Sequence, residues 1–302
     1  MDSRITLTHG CSLSNLPLFV AEAAGLFEAE GLDVEVPRFT TLSSTSDIIA
    51  SGDSDLGTVA FTEPLIDASR DNPPIIVGGS GLMGITVMAR PEITDAGQLK
   101  GRKAGTFRRD PLEVLLHDAL AVHGLGFGDL EIVYLDDIED ALADFENGTI
   151  DAITVAEPHA TRLARNGAVL LSDGTELWGD PFPDTVLVAT TEFLESRPEQ
   201  VSAALRAMIR AEEMIAADPN GMLDHAVRHY PDYDRADLEA GARRQPPCID
   251  ICHLEQTIYD RWDSLQSLGL VPRSDQPPPN VISFDLLAAE LERAGRMGPD
   301  SS

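Results

Sequence analysis

Lysine is almost missing from this chain of 302 residues, which contains only Lys100 and Lys103. Arginine supplies nearly all of the positive charge, and acidic residues outnumber basic ones so strongly that the formal net charge is -29. A charge of this sign argues against nucleic acid and anionic membrane surfaces as partners. The acidic surface fits either a salt-rich cytoplasm or a GC-rich genome that disfavours lysine codons.

Long apolar runs and cofactor motifs are missing as well. No run approaches the roughly 18 apolar residues of a membrane span, so we expect no membrane insertion. The chain contains no GxSxG, P-loop, HExxH or GxGxxG motif, and we expect no cofactor. The start, Met1-Asp2-Ser3-Arg4-Ile5, has no signal-peptide pattern. We therefore expect a cytoplasmic protein as the sequence stands, and an extracytoplasmic one if a signal segment has been removed.

The residues that are present alternate between strand and helix patterns. Apolar residues over Leu16–Glu30 recur at the i, i+3, i+4 spacing of one buried helix face. Pro198–Ala217 has the clearest helical pattern, and Gly78–Gly81 is predicted to be a flexible loop. The other predicted strands and helices are Ile5–Thr8, Leu32–Val36, Ser46–Ser51, Leu56–Phe61, Pro64–Arg70, Ile75–Gly78, a strand near Ala104, Pro111–His123, Glu131–Leu135, Ile138–Asn147 and Ala152–Val155. The alternation predicts an α/β fold with mainly parallel sheets flanked by helices.

Several segments carry a family resemblance: PLFVAEAAGLFEAEGLDVEV (17–36), SGDSDLGTVAF (51–61), LKGRKAGTF (99–107), ENGTIDAITVAEPHATRL (146–163) and EFLESRPEQV (192–201). The series resembles the alkanesulfonate-, taurine- and pyrimidine-precursor-binding proteins. Their superfamily also contains the thiamine pyrimidine synthase and the hydroxybiphenyl sulfinate desulfinase. The resemblance implies a two-lobed type II periplasmic-binding-protein-like fold with a hinged cleft. Lobe one would contain residues 1–86 and 189–302, and lobe two residues 87–188.

The strand-to-helix turns supply the candidate ligand-binding residues, because free N–H groups and the helix dipole favour polar or anionic groups there. Arg108 and Arg109 suit a clamp for a carboxylate, sulfonate or phosphate, unless they are solvated or pair with Asp110 or Glu113. The serines and Glu63 have a plainer interpretation as residues of ordinary helix starts. The full predicted set is Ser14, Asn15, Arg38, Ser43, Ser44, Thr62, Glu63, Thr106, Arg108, Arg109, Glu157, His159, Asp180 and Asp184.

Cys11 is the candidate nucleophile, because it precedes a helix start that favours the thiolate. His9 lies two residues before it. By resemblance, Cys11 falls near the nucleophile of the desulfinase, but Arg38 stands where that enzyme has a histidine. The lysine and histidine of the pyrimidine synthase would fall near Val59 and Glu63, so neither reaction is expected. The alternative is that Cys11 is a small polar wall residue.

A second cysteine cluster, Cys248 and Cys252 with His253, could form a metal site only with Cys11 as a further ligand. Structural zinc sites use four ligands with closer cysteine pairs. We therefore expect no metal, and interpret these residues as core or cleft lining.

The sequence thus predicts a substrate-binding protein for a small polar ligand, zwitterionic, sulfonate- or pyrimidine-like. The mixture of acidic and basic candidates favours a zwitterionic or amine-bearing molecule. An ABC permease would be a partner if the protein is exported. The alternative is a cytoplasmic lyase or synthase on the same scaffold, with Cys11 and His9 as its catalytic residues.

Overall fold

The computed structural model describes residues 4–10, 12–36, 45–275, 278 and 280–296. In chain order the strands are β1 (Arg4–Thr8), β2 (Asp33–Glu35), β3 (Leu56–Ala60), β4 (Pro74–Leu82), β5 (Ile85–Ala89), β6 (Lys103–Thr106), β7 (Glu131–Tyr134), β8 (Ala152–Ala156), β9 (Val169–Ser172) and β10 (Pro183–Thr190). The α-helices are α1 (Leu16–Ala23), α2 (Leu26–Ala29), α3 (Thr45–Ala50), α4 (Glu63–Asp67), α5 (Pro111–Ala121), α6 (Ile138–Glu146), α7 (His159–Arg165), α8 (Thr175–Trp178), α9 (Thr191–Ser196), α10 (Pro198–Ala217), α11 (Pro219–Val227), α12 (Arg235–Arg244), α13 (Glu255–Tyr259), α14 (Trp262–Ser267) and α15 (Asp285–Arg293).

Two five-stranded sheets organise the protein. The first sheet has the order β2-β1-β3-β10-β4, and the second has the order β7-β6-β8-β5-β9. In each sheet one strand, β10 or β5, pairs antiparallel with both of its neighbours, and the other four run in one direction. The prediction of an α/β fold with mainly parallel sheets is therefore confirmed, with one reversed strand in each sheet.

The chain passes from the first sheet to the second between β4 and β5, and returns between β9 and β10. The first passage consists of Met83 and Gly84 alone, both in left-handed backbone, with φ of 57° and 77°. A side chain at Gly84 would bring its Cβ within 2.6 Å of Gln245 Cβ. Position 84 requires glycine because its backbone is left-handed and because Gln245 leaves no space for a side chain.

Two hydrophobic clusters cover the sheets. Against the first sheet, α1 and α10 pack buried residues such as Phe19, Leu205 and Met208. β4 and β10 are buried along their whole length, as expected for strands covered on both faces. The predicted limits of α10 are confirmed: Pro198 begins the helix, where its missing N–H costs nothing.

Two local predictions are wrong. Leu16–Glu30 is not one helix, because Gly25 adopts left-handed backbone at φ 67° and separates α1 from α2. Gly78–Gly81 is not a loop, because all four residues lie buried in β4. A Cβ at Gly79 would lie 2.2 Å from the carbonyl oxygen of Cys248, so glycine serves close backbone packing there.

The C-terminal third contacts both sheets. α15 packs on α10 beside the first sheet, whereas α14 packs on α5 beside the second. Ser264 donates a hydrogen bond of 2.7 Å to Asp118, and Arg261 donates one of 3.2 Å to the same carboxylate. Within the part of the chain that the structure describes, we find no helix long and apolar enough to cross a membrane.

Candidate functional site

A cavity opens where the carboxyl ends of the parallel strands of both sheets meet. This is where open α/β sheets place their ligands. From the first-sheet side the described lining residues are Gly10, Ser12, Asn15, Thr45, Thr58, Val59, Ala60, Glu63, Asp184 and Thr185; from the second-sheet side they are Ile85, Phe107, Asp110, Leu112, Ile138, Ala156 and His159. These residues define what we call the cavity.

Asn15 and Thr58 form a polar wall on the first-sheet side. Thr58 donates from Oγ1 to Asn15 Oδ1 at 2.5 Å, and Asn15 Nδ2 donates to the carbonyl oxygen of Ser12 at 3.2 Å. Both side chains are fully buried. Because Asn15 is held from two sides, its amide presents a fixed edge to the cavity.

Asp184 lies at the start of β10 and is 5% exposed. Its carboxylate accepts hydrogen bonds from Gln245 Nε2 at 2.9 Å and Thr185 Oγ1 at 3.0 Å. Gln245 also accepts from the backbone N–H of Ser14 at 2.9 Å and donates to the carbonyl oxygen of Met83 at 3.1 Å. Burial raises the pKa of Asp184 to about 6, although hydrogen bonds from neighbouring hydroxyls partly oppose the shift.

Asp110 faces the cavity from the second-sheet side. It is the N-cap of α5, and its side chain accepts from the N–H of Leu112 at 2.9 Å. Burial is the main cause that raises the pKa of Asp110 to about 7; the charges of Asp184 and Glu113 act in the same direction, and the hydrogen bond from the Leu112 N–H opposes the shift. The two acids therefore interact across the cavity, and a positive charge between them would favour ionisation of both.

Glu63 adds a third carboxylate, from the first turn of α4, and is 6% exposed. The described lining contains no arginine or lysine. The cavity wall that the structure describes is therefore acidic, which favours a cationic group in the ligand.

His159 lines the cavity from the first residue of α7 and is 4% exposed. Its Nδ1 forms a hydrogen bond with the Tyr233 hydroxyl. Burial, together with the charge of Arg162, lowers the pKa of His159 to about 3, so its ring is neutral. Among the described residues, Nε2 has no hydrogen-bond partner.

Glu157 is fully buried and does not line the described cavity. Its carboxylate accepts from the backbone N–H of Thr161 at 3.0 Å and lies 3.5 Å from Arg244 Nη1. Burial raises the pKa of Glu157, while Thr161 and Arg244 act in the opposite direction. Its backbone also matters, because the carbonyl oxygen accepts from the N–H of Leu13 at 3.1 Å and so joins the two sides of the cavity.

The two predicted arginines lie outside the described lining. Arg108 places its guanidinium 3.5 Å from the ring centroid of Tyr134. Arg109 pairs with Asp67 at the end of α4, and its N–H donates to Glu113 at 2.7 Å. The Arg109–Asp67 pair joins the loop after β6 to the helix after β3, so it links the two sides of the cleft.

The remaining predicted residues divide into four groups. Asn15, Glu63, His159 and Asp184 line the cavity, and their contact with a ligand stays a prediction. Ser14, Thr62 and Thr106 are fully buried just behind the wall, whereas Asp180 is exposed. Cys11, Arg38, Ser43 and Ser44 lie outside the described residues.

His9 packs its ring edge-on against Phe19 and His229, with centroids 5.1 and 5.6 Å away. Its Nδ1 lies 2.7 Å from the carbonyl oxygen of Gly10. The ring belongs to this aromatic group and not to the described lining.

The Cys248–His253 segment does not form one helix. Cys248 precedes a short 3-10 turn, Cys252–Leu254, so the two cysteines do not share a helix face. Burial raises the pKa of both thiols to about 12, which disfavours thiolate ligands. No group of three or more His, Cys, Asp or Glu able to hold a metal ion occurs among the described residues.

Asp110 and Gln245 are the important residues that sequence reasoning missed. The sequence pattern suggests Asp110 as a partner for the neighbouring arginines, although an aspartate before Pro111 is also an N-cap signal at the end of a strand. Gln245 follows a helix with no site motif, and nothing local indicates that it would reach Asp184.

Comparison with known proteins identifies the family. The profile described as NMT1/THI5 like matches residues 13–222. The taurine-binding periplasmic protein of Escherichia coli is 27% identical over 220 residues, which cover 72% of this chain and 68% of that protein. The 4-amino-5-hydroxymethyl-2-methylpyrimidine phosphate synthase of Schizosaccharomyces pombe is 24% identical over 285 residues, 87% of this chain and 80% of the enzyme.

A solved structure gives the same fold. The alkanesulfonate-binding protein SsuA of Xanthomonas axonopodis, bound to MOPS, superimposes with a TM-score of 0.79 at 18% identity, covering 93% of this chain and 98% of that one. The predicted family resemblance and the periplasmic-binding-protein-like fold are thus confirmed. Since the profile matches well over half of its residues, this chain belongs to the NMT1/THI5-like family.

Proposed function

We propose that this chain is a substrate-binding protein for a small polar organic molecule that carries an amino or other cationic group. The observation that carries the proposal is the charge of the cavity. Asp110 and Asp184 contribute two carboxylates from opposite sides of the cavity, and the described lining contains no arginine or lysine. A cation that enters between them would gain two charge-assisted contacts.

At two helix N-termini of the second-sheet side, side chains of the protein itself accept the N–H groups that an anion would ordinarily use. Helix N-termini attract anions through their free N–H groups. At α5 the carboxylate of Asp110 accepts the Leu112 N–H, and at α7 the carboxylate of Glu157 accepts the Thr161 N–H. A purely anionic ligand would have to displace these acids or bind beside them.

Size and shape restrict the ligand further. The cavity volume is about 90 Å³, and since one water needs roughly 10–15 Å³ by such a measure, the space suits about six to nine non-hydrogen atoms. Ile85, Phe107, Leu112 and Ile138 give the second-sheet side an apolar surface. The ligand therefore combines a small hydrocarbon part with its charged group.

The relatives whose names state taurine binding and alkanesulfonate binding support a ligand-binding role. Taurine, the ligand in the name of the Escherichia coli relative, is a zwitterion of suitable size with an ammonium group. We propose that the lobe of residues 1–86 and 189–302 closes against the lobe of residues 87–188 around such a ligand. We further propose that the protein works outside the cytoplasm, where it delivers the ligand to an ABC permease. Fractionation of the native host tests this location.

The test is calorimetric titration with three molecules of the same shape and number of non-hydrogen atoms. Taurine carries both charges, 3,3-dimethylbutylamine replaces the sulfonate by an apolar group, and propane-1-sulfonate replaces the ammonium by a methyl group. We expect both ammonium compounds to bind and propane-1-sulfonate to bind at least tenfold more weakly. Equal or tighter binding of propane-1-sulfonate would reject the proposal.

An enzyme on the same scaffold is the second candidate, because the Schizosaccharomyces pombe synthase aligns with 87% of the chain. Cys11 is flanked in sequence by Gly10 and Ser12, both of which line the cavity. If the protein is an enzyme, it consumes a bound small molecule, and mass spectrometry measures the consumption. The variant Cys11→Ala would abolish that consumption. If Cys11→Ala leaves ligand affinity and any turnover intact, the catalytic proposal fails.

A further inference from the structure

We propose that His159 is a specificity-determining hydrogen-bond donor, whose Nε2–H selects ligands that carry an acceptor, and that Tyr233 fixes this tautomer. The inference rests on the proposed ligand-binding function and deepens it. It adds a second requirement to the cationic group, namely an acceptor on the same small molecule.

The position of His159 provides the first step. The ring lines the cavity and is 4% exposed, so water has little access to it. One ring nitrogen, Nδ1, already bonds to Tyr233. Nε2 is buried and has no partner among the described residues. Because a buried polar atom without a partner costs stability, Nε2 is the atom left for a ligand.

Tyr233 decides which nitrogen carries the hydrogen. Arg162 lies over the Tyr233 ring, with its guanidinium carbon 5.4 Å from the ring centroid. A phenol hydroxyl, with a pKa of about 10, is a stronger donor than the N–H of a neutral imidazole, and an imidazole nitrogen is a stronger acceptor than a phenol oxygen. The positive charge of Arg162 beside the ring strengthens the hydroxyl as a donor, so Tyr233 donates to His159 Nδ1. In a neutral imidazole the hydrogen consequently resides on Nε2.

This arrangement joins the two sides of the cleft. His159 and Arg162 belong to α7, after the second-sheet strand β8, whereas Tyr233 precedes α12 and packs with the first-sheet core. Arg165 reinforces the junction by pairing with Asp237 at 2.9 Å. The His159 donor is therefore oriented by contacts from both sides of the cleft.

The cavity carboxylates and the His159 donor together define the class of ligand. The carboxylates Asp110 and Asp184 favour a donor-rich cation, and Nε2–H requires an acceptor. Molecules with an ammonium or amidinium and a separate acceptor, such as an oxyanion or a ring nitrogen, satisfy both. A simple alkylamine satisfies only the first.

The tautomer is tested in the ligand-free protein by long-range ¹H–¹⁵N correlation NMR, with His159→Gln used to assign the signals. We expect hydrogen on Nε2 in the native protein and a mixture of tautomers in Tyr233→Phe. Tyr134→Phe removes a comparable hydroxyl bond, to Glu113 at 2.6 Å outside the described lining, and should leave His159 unchanged. Hydrogen on Nδ1 in the native protein would overturn the inference without affecting the proposed function.

Ligand selectivity is tested with taurine and 3,3-dimethylbutylamine. We expect Tyr233→Phe and His159→Ala to weaken taurine binding about tenfold, the loss of roughly one hydrogen bond, and to leave the alkylamine within about twofold. An equal loss for both compounds would assign His159 a merely structural role. If neither compound binds to the native protein, the proposed ligand class fails, and the ligand part of this inference fails with it.

Discussion

Asp110 and Glu157 have corresponding places beside the second sheet, and the differences between them explain the site. Each follows a strand of the second sheet, and each accepts an N–H of the next helix, at 2.9 Å for Asp110 and 3.0 Å for Glu157. Glu157 is fully buried and pairs with Arg244. Asp110 lines the cavity and faces another acid, Asp184, instead of a cation. The same capping chemistry thus produces a structural carboxylate in one helix and a candidate ligand-binding carboxylate in the other.

The largest effect should come from neutralising the cavity acids. Asp110→Asn and Asp184→Asn should each weaken binding of 3,3-dimethylbutylamine by about 10- to 100-fold, because each removes one charge-assisted contact. Calorimetric titration measures the loss. Asp95→Asn is a matched control, since Asp95 caps the 3-10 turn Ala96–Leu99 and is exposed away from the cavity. An unchanged affinity in both cavity variants would contradict the site.

The affinity for the same amine should rise with pH. The carboxyls of Asp184 and Asp110, with pKa values of about 6 and about 7, are largely protonated at pH 5 and ionised at pH 8. Because the amine stays cationic throughout, binding should strengthen at least tenfold between these limits and level off at about pH 8, one unit above the pKa of Asp110. The profile should flatten in Asp110→Asn. A flat profile in the native protein would indicate that the acids do not contact the ligand.

Glu157 should affect stability more than affinity. Glu157→Ala removes the acceptor for the Thr161 N–H and leaves a space in the interior, so we expect a loss of about 2 kcal/mol in the free energy of unfolding. Urea unfolding measures it. Glu139→Ala, at an exposed first-turn glutamate of α6, should change stability by less than about 0.5 kcal/mol. Equal losses of stability in the two variants would contradict the distinction between a buried and an exposed carboxylate at a helix start.

The smallest effect should be a gain of stability in Asp110→Asn. The pKa of Asp110 in the folded protein is raised, so ionisation costs stability progressively as the pH rises from about 4 to about 7, and the full cost persists above. Asparagine still caps α5 but carries no charge. The half-buried position limits the gain, which we expect to be roughly 2 °C in Tm at pH 8 and absent at pH 4. A lower Tm at pH 8 would contradict an unfavourable charge at Asp110.

The sequence was informative wherever local pattern decides the structure. The periodicity of α10 and the alternation of strands and helices predict the α/β fold. His159, predicted to bind ligand from its place in the turn after β8, lines the cavity, and its contact with a ligand stays a prediction. The sequence also indicates the loop before α5, but its pattern favours the two arginines over Asp110 as ligand contacts. Which side chain of a turn faces the cavity depends on tertiary contacts, such as the pair of Arg109 with Asp67, which follows a strand of the other sheet. The role of Gln245 could not be predicted from the sequence because its bond to Asp184 is also a tertiary contact.

The most direct test of the central claim, that an acidic cavity selects a cationic group, is the proton balance of binding. Calorimetry of taurine at pH 6.5, in buffers of different ionisation enthalpy, measures the protons exchanged with solvent. If the ammonium binds between Asp110 and Asp184, both acids ionise more fully and protons are released. Release that disappears in the Asp110→Asn, Asp184→Asn double variant is the predicted result. Proton uptake would show that the anionic end of the ligand meets these acids, and would contradict the account.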